Sequence, residues 1–375
     1  MSGARRANVG ILVLMLAILL MSCGGPLPGF KGQQVTPRKF ATRARSATAT
    51  PAPKQLEAGT PSASSLSPLS IPYMREQTYP GSDLVIEQTL KPGHNYSRSI
   101  ASYQSDGLTI YGLLTVPTGP RPPSGWPVVI FNHGFLLDAS KYHATEQYPA
   151  STDAIAQRGY ILFMPDYRGY GESEGETTDP NSSPAYTVDV LNALSSVKRL
   201  DSADPGRIGM WGHSMGGGIT LRAMVISPDI KAGVIWAGTV SSQRDLLDLW
   251  ALTPEPDPEM NSPTRKWRID LIDQYGTPDD NPQFWDSITP TSYLQYLSGP
   301  VQLHHGTADE AVPLEFSKTL NERIQAAGKQ VELYTYRGDS HYLPDNADLA
   351  VKRSLDFLDE YVKNASPETG GSAAQ

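Results

Sequence analysis

Cysteine is nearly absent: Cys23 is the only one in 375 residues, so no disulfide framework can close within the chain. Positive charge is also in deficit. Lys and Arg number 31 against 39 Asp and Glu, a formal charge of -8, and no basic face is offered to nucleic acid. No internal repeat, cluster of metal-ligand residues, phosphate loop or dinucleotide fingerprint is visible. The glycines at 216–218 follow a serine rather than cradle a phosphate, and neither metal nor cofactor is expected. The apolar run 9–21 is too short to cross a bilayer comfortably, since spanning takes about 20 residues. What remains is ordinary for a globular protein: 39% hydrophobic and 19% charged residues, enough for one large domain with extensions.

The N-terminus reads as an address. Arg5 and Arg6 precede the apolar run, which ends in Leu20-Met21-Ser22-Cys23. Positive flank, short apolar core and small residues make a signal peptide over 1–22. The last four residues resemble the lipobox of bacterial lipoproteins, in which the cysteine is lipidated and becomes the new N-terminus. That resemblance implies Cys23 as lipid anchor and an extracytoplasmic, membrane-attached protein, with an ordinary secretory signal or an uncleaved anchor as the other readings. Residues 23–80 are rich in Pro, Ser, Ala and Thr and poor in large apolar side chains. Such a composition cannot bury enough surface to offset ordering, so a disordered tether is expected. Residues 365–375 are expected to be a disordered tail.

Between them, 81–364 reads as one domain. Strand-like segments around 83–90, 97–104 and 108–117, with Ser105-Asp106-Gly107 as a turn, predict an antiparallel lead-in. Continuous apolar runs at 127–134, 160–166, 207–212, 232–238, 300–306 and 330–336 then alternate with helical patterns near 149–158, 184–200, 215–227, 313–327 and 346–363. Apolar strands separated by helices mean a mostly parallel, doubly wound α/β sheet covered on both faces. The exception is 241–298, too long for a plain connection and mixing helix-like pieces with prolines. It is expected to form a small helical cap over the site, with Trp250, Trp267, Phe284 and Trp285 as its packing anchors.

The chemistry centres on Gly212-His213-Ser214-Met215-Gly216, between an apolar strand and a helix. This G-x-S-x-G spacing is that of a nucleophile elbow, where glycines leave room for two backbones that nearly collide. A serine hydroxyl needs a base, and the base needs an orienting carboxylate; on doubly wound hydrolases they follow in the order Ser, Asp/Glu, His. His304, His305 and His341 follow Ser214. The first two end a strand, whereas His341 lies in the polar loop RGDSHYLP and is the better base. Asp309, in the loop HGTADEAVP, is the expected acid, with Glu310 its near rival. An oxyanion needs donors: the Met215 amide beside the serine, and an amide of the loop FNHGFL, Phe135 in preference to Gly134. His133 is expected to be a structural hydrogen-bonder, and Arg168 and Tyr170 structural as well.

The series NHGF, PDYRGYGES, DPGRIGMWGHSMGG, NPQFWDSITP, HGTADEAVP and GDSHY resembles, in order and spacing, the catalytic domain of the prolyl oligopeptidase family of serine peptidases, over roughly residues 95–364. The resemblance implies the α/β-hydrolase fold, Ser214, Asp309 and His341 as the triad, and acyl transfer from a peptide or ester bond to water. Many members carry a β-propeller before this domain; here a tether and a lead-in precede it, so the propeller's restriction to short peptides is not implied. Carboxylesterases on small acyl esters share most of these motifs, and a non-catalytic binding lipoprotein is the third reading. The expected partners are a small peptide or ester substrate and a membrane reached through the lipid anchor.

Overall fold

The computed structural model describes residues 66–136, 139, 148–179, 181–252 and 263–365, with backbone alone at 249–252 and 263–265. All fall within one compact unit, 59–375. Cys23, the signal segment, most of the expected tether, the side chain of Trp250 and the tail beyond 365 lie outside the described residues.

A nine-stranded sheet runs in the order β1-β2-β3-β5-β4-β6-β7-β8-β9. Its first strands, β1 (Val85–Leu90), β2 (Tyr96–Ser105) and β3 (Leu108–Pro117), are antiparallel neighbours. Asp106 and Gly107, both at positive φ, form the tight hairpin between β2 and β3, as two-residue turns require. β3 joins β5 (Ile161–Pro165) antiparallel, and from there every pairing is parallel through β4 (Trp126–Asn132), β6 (Ala203–His213), β7 (Ile230–Trp236), β8 (Val301–Gly306) and β9 (Val331–Tyr336). β4, β5 and β8 are buried along most or all of their length, which is why they read as continuous apolar runs rather than alternating ones.

The chain leaves β4 toward β5 on one side and returns to β6 on the other, so strand order reverses between β4 and β6. Open α/β sheets bind ligands at the carboxyl edge of such a switch point. Asn132 pairs with Gly212 there, which sets the loop after β4 beside the turn after β6. Helix α2 (Pro149–Gln157), α3 (Ala185–Val197), α4 (Met215–Ile226), α8 (Leu314–Ala326) and α9 (Ala347–Leu358) cover the sheet. The last helix ends five residues before the expected 363 and passes into a π-helical turn, Asp359–Lys363.

One expectation needs correction. The tether does not extend to residue 80: Ile71–Glu76 forms a short helix, α1, whose Ile71 and Met74 are buried in the main core. Ser70 caps it, accepting from the Tyr73 amide at 3.3 Å, and the Arg75 guanidinium donates to the carbonyl of Val225. The insertion 241–298 does fold into helices, α5 (Gln243–Leu252), α6 (Pro263–Tyr275) and α7 (Pro282–Ser287). Leu271, Phe284, Trp285 and Ile288 form a second buried cluster, with Trp267 packed against it. Phe284 stacks on Tyr275 with centroids 3.8 Å apart. Leu246 of α5 packs in the main core, and polar contacts add to it: Arg268 pairs with buried Asp179 at 3.4 Å, and the Gln243 amide donates to the Asn181 carbonyl at 2.6 Å. Among the described residues of 241–298, none lines the cleft at Ser214.

Candidate active site

Ser214 occupies the turn between β6 and α4 at φ 56 and ψ -119, a conformation costly for any residue with a Cβ. Its backbone is held on both sides: its amide donates to the Trp236 carbonyl at 2.9 Å, and its carbonyl accepts from Gly217 at 2.9 Å and Thr239 at 3.1 Å. Glycine is obligatory around it for steric reasons. A Cβ at Gly212 would collide with the Gly216 carbonyl, and one at Gly216 with that of Asn132. The strand, the helix and the neighbouring β4 thus close on one point, and the serine is lifted to the sheet's carboxyl edge at a helix N-terminus, where partial positive charge favours an anion.

The loops after β8 and β9 are clasped together. Thr307 donates to the Tyr336 carbonyl and Ala308 to that of Asp339, both at 2.9 Å. Buried Asp339 in turn accepts from the Asp345 amide at 3.0 Å and the Asn346 side chain at 2.8 Å, which shapes the loop bearing His341. The clasp brings His341 Nδ1 within 2.8 Å of Asp309 Oδ2. The other Asp309 oxygen accepts the Ala311 and Val312 amides, each at 2.9 Å, and Oδ2 also meets His305 Nε2 at 3.1 Å. Burial by itself would raise the Asp309 pKa, but hydrogen bonds from His305, His341 and Val312 outweigh it and hold the carboxyl well below the usual carboxylate range. Glu310, the rival, is exposed and lines the cleft rather than reaching His341.

Ser214 and His341 share one open cleft of about 400 Å³, with Gly134, Phe135, Ala311 and Tyr342 on its walls. The rings of Phe135 (47% exposed) and Tyr342 (61% exposed) stand at its rim. The Gly134 amide is engaged, donating to Tyr148 Oη at 3.0 Å, whereas the amides of Phe135 and Met215 meet no acceptor among the described residues.

His133, His304 and His305 make structural contacts. His133 is fully buried, bonded to the carbonyls of Gly134 and Asp166 and stacked on Tyr167. Burial lowers its pKa to about 4 despite those carbonyls. His304 and His305 do point to opposite faces, the first toward Ser354 of α9 and the second toward Ser317 of α8. Arg168 is bound to Asp189 through several bonds, at 2.7 Å at the closest, and Tyr170 is buried. Among the described residues no group of three or more His, Cys, Asp or Glu is arranged to hold a metal ion. Sequence reasoning missed His305 as a second partner of Asp309. It gave no role to Tyr148 or His213 either, because their contacts join loops distant in sequence.

A parallel α/β sheet with a strained serine at its switch point and a His–Asp pair on later strand ends defines an α/β-hydrolase. Residues 146–365 match the prolyl oligopeptidase family, and the chain belongs to that family; it is a serine hydrolase. A curated relative, the uncharacterized peptidase YtmA of Bacillus subtilis, is 26% identical over 263 residues, covering 70% of this chain and 91% of the relative. Among solved structures, Est1E from Butyrivibrio proteoclasticus with ferulic acid bound matches at 22% identity and TM-score 0.54, covering 69% of this chain and 98% of its own. The acylaminoacyl peptidase of Pyrococcus horikoshii matches at 20% identity and TM-score 0.58, covering 73% of this chain and 43% of its own. At these identities the two structures establish the shared fold.

Proposed function

We propose that Ser214 is the nucleophile, His341 the general base and Asp309 the residue that orients it, in a hydrolase acting through an acyl-enzyme. The observation that carries this reading is the 2.8 Å bond from His341 to Asp309 on the wall of the cleft that Ser214 lines. Asp309 accepts the Nδ1 proton and so leaves Nε2 as the acceptor for the serine proton. Ser214 Oγ attacks the substrate carbonyl, and the Met215 and Phe135 amides receive the developing oxyanion. The leaving amine or alcohol takes the proton back from His341, and water repeats the cycle to release the acid.

The substrate class we favour is a short peptide or amide, in line with the family. An ester of a small acyl group is the second reading, favoured by the exposed aromatic rim of the cleft and by the ferulic acid bound to Est1E. Aminoacyl anilides and p-nitrophenyl esters assayed at matched enzyme concentration separate them. Comparable turnover of anilides supports the peptidase, and ester-only turnover removes it. We also propose that the protein is exported and tethered through lipid on Cys23, a reading supported by the Leu20-Met21-Ser22-Cys23 pattern after the short apolar run. A Cys23→Ala protein should be released once its signal is cleaved, and a cleaved one that stays membrane-bound contradicts lipid tethering.

A further inference from the structure

One line of hydrogen bonds runs beneath Ser214, from the loop after β4 to the loop after β9. The Gly134 amide reaches Tyr148 Oη at 3.0 Å, Tyr148 Oη lies 2.9 Å from His213 Nδ1, and His213 Nε2 lies 3.1 Å from the His341 carbonyl oxygen. The two backbone ends fix its direction. An amide can only donate, so Tyr148 Oη accepts from Gly134 and has its own O–H left for His213 Nδ1. A carbonyl can only accept, so His213 Nε2 must carry the imidazole proton. His213 is therefore the neutral Nε2–H tautomer. Burial, with the nearby His341 second, lowers its pKa to about 3, which keeps it neutral at working pH.

Independent features of the backbone serve the same line. Tyr148 sits in the left-handed region at φ 54 and ψ 37, and its side chain makes no capping bond to the helix it precedes; such strain in a non-glycine residue persists only where its surroundings impose it. At Gly134 a Cβ would come within 2.9 Å of Tyr148 Oη and 3.3 Å of both His213 Nδ1 and Ser214 Cβ, so a larger residue would have to push the tyrosine hydroxyl off this line. The His213 ring is stacked on Tyr342, with centroids 4.8 Å apart. It also meets the His341 ring, centroids 4.7 Å apart, and the edge of Tyr148 at 5.4 Å, and with Tyr342 it borders a cavity of about 410 Å³ lined also by Phe131, Trp211 and Trp236. The two hydrogen bonds fix which way the ring nitrogens face within that packing.

We infer that Tyr148 and His213 are positioning residues that tie the oxyanion-side loop to the base-bearing loop across Ser214. Neither touches the reacting atoms. They keep the Phe135 amide and the His341 imidazole in one register during acyl transfer. This deepens the triad reading above and rests on it.

The test uses the full chain and four variants: Tyr148→Phe, His213→Gln, His213→Leu and the double Tyr148→Phe/His213→Leu. Turnover of p-nitrophenyl acetate and labelling by a fluorophosphonate are measured on each. Loss of one buried hydrogen bond that matters only in the transition state should lower kcat about tenfold in Tyr148→Phe and leave KM unchanged. His213→Gln, whose amide still donates to the His341 carbonyl, should keep more kcat than His213→Leu. The double variant should lose no more than His213→Leu alone, because both changes cut one line. Unchanged kcat in Tyr148→Phe and His213→Leu, additive losses, or losses confined to KM would each overturn the proposal. If Tyr148→Phe fails to fold, the His213 pair decides. A wild-type chain that resists labelling at Ser214 refutes the nucleophile reading itself, whereas a labelled wild type with fully active variants refutes only the positioning role.

Discussion

Replacing Asp309 by asparagine exchanges one oxygen for an NH₂ group, and the structure leaves that group nowhere to point. Oδ1 faces two backbone donors, Ala311 and Val312 at 2.9 Å. Oδ2 faces His341 Nδ1 at 2.8 Å and His305 Nε2 at 3.1 Å. Either amide orientation sets a donor against two donors. If the NH₂ group takes the histidine side, His341 must move its proton to Nε2, the wrong tautomer for accepting the Ser214 proton. A triad aspartate changed to asparagine in another serine hydrolase costs about 10⁴-fold in kcat through this tautomer, and a loss on that order is expected here. Two hydrogen bonds to a charged group are also weakened, each of about 1.5–3 kcal/mol, so stability should fall as well. Because the folded Asp309 pKa is depressed, its stabilising contribution is present above the unfolded value of about 3.9 and is lost as pH falls through the folded value. The stability gap between wild type and variant should therefore be constant near neutral pH and narrow only in acid. Hydrolysis of p-nitrophenyl acetate at pH 7.5 supplies the rate and urea unfolding at several pH values the stability, with Glu310→Gln as the control. An Asp309→Asn enzyme within tenfold of wild type, alongside an inactive Glu310→Gln, would refute the reasoning and transfer the role to Glu310.

Other consequences can be checked more briefly. Gly216→Ala drives a methyl into the Asn132 carbonyl and should cost about 1–3 kcal/mol or more, seen as a lower urea midpoint; an unchanged midpoint would contradict the close approach of α4 and β4. Trp285→Ala empties the second cluster, where this ring is 3% exposed. About 3–5 kcal/mol of stability should be lost while kcat on a small ester persists, because that cluster is away from the cleft; loss of kcat in a folded variant would contradict this. His304 is buried, and burial lowers its pKa to about 3. The unfolded chain therefore takes up the proton first, and the stabilising contribution of His304 should shrink as pH falls from about 6.5, by at most about 1.4 kcal/mol per unit. Urea unfolding of wild type and His304→Gln at pH 7, 5.5 and 4.5 measures it, and a gap independent of pH would be the contrary result.

The strands were legible because burial on both faces writes itself as unbroken apolar runs; the β2–β3 hairpin announced its turn at Asp106-Gly107. Helix α1 was not, since six residues after a Pro- and Ser-rich stretch carry too little periodicity. Its helicity depends on tertiary contacts, Ile71 and Met74 in the core and Arg75 on Val225. The insertion's aromatic core was legible from its composition; its contacts with Asp179 and Asn181, polar partners some sixty to ninety residues away, were not, since no local pattern announces them. At the site, motif order picked out Ser214, Asp309 and His341, because chemistry restricts which residue types follow which strand end. The contacts of His305, Tyr148 and His213 escaped it, since they arise only when loops distant in sequence are brought to one edge of the sheet.

As the proposed nucleophile, Ser214 carries the acyl group during turnover. Rapid acid quench of the enzyme during turnover of p-nitrophenyl acetate, followed by peptide mass spectrometry, tests it directly. An acetyl adduct on the peptide containing Ser214, absent from Ser214→Ala, is the predicted result. Full turnover by Ser214→Ala, or an adduct on any other residue, would contradict it.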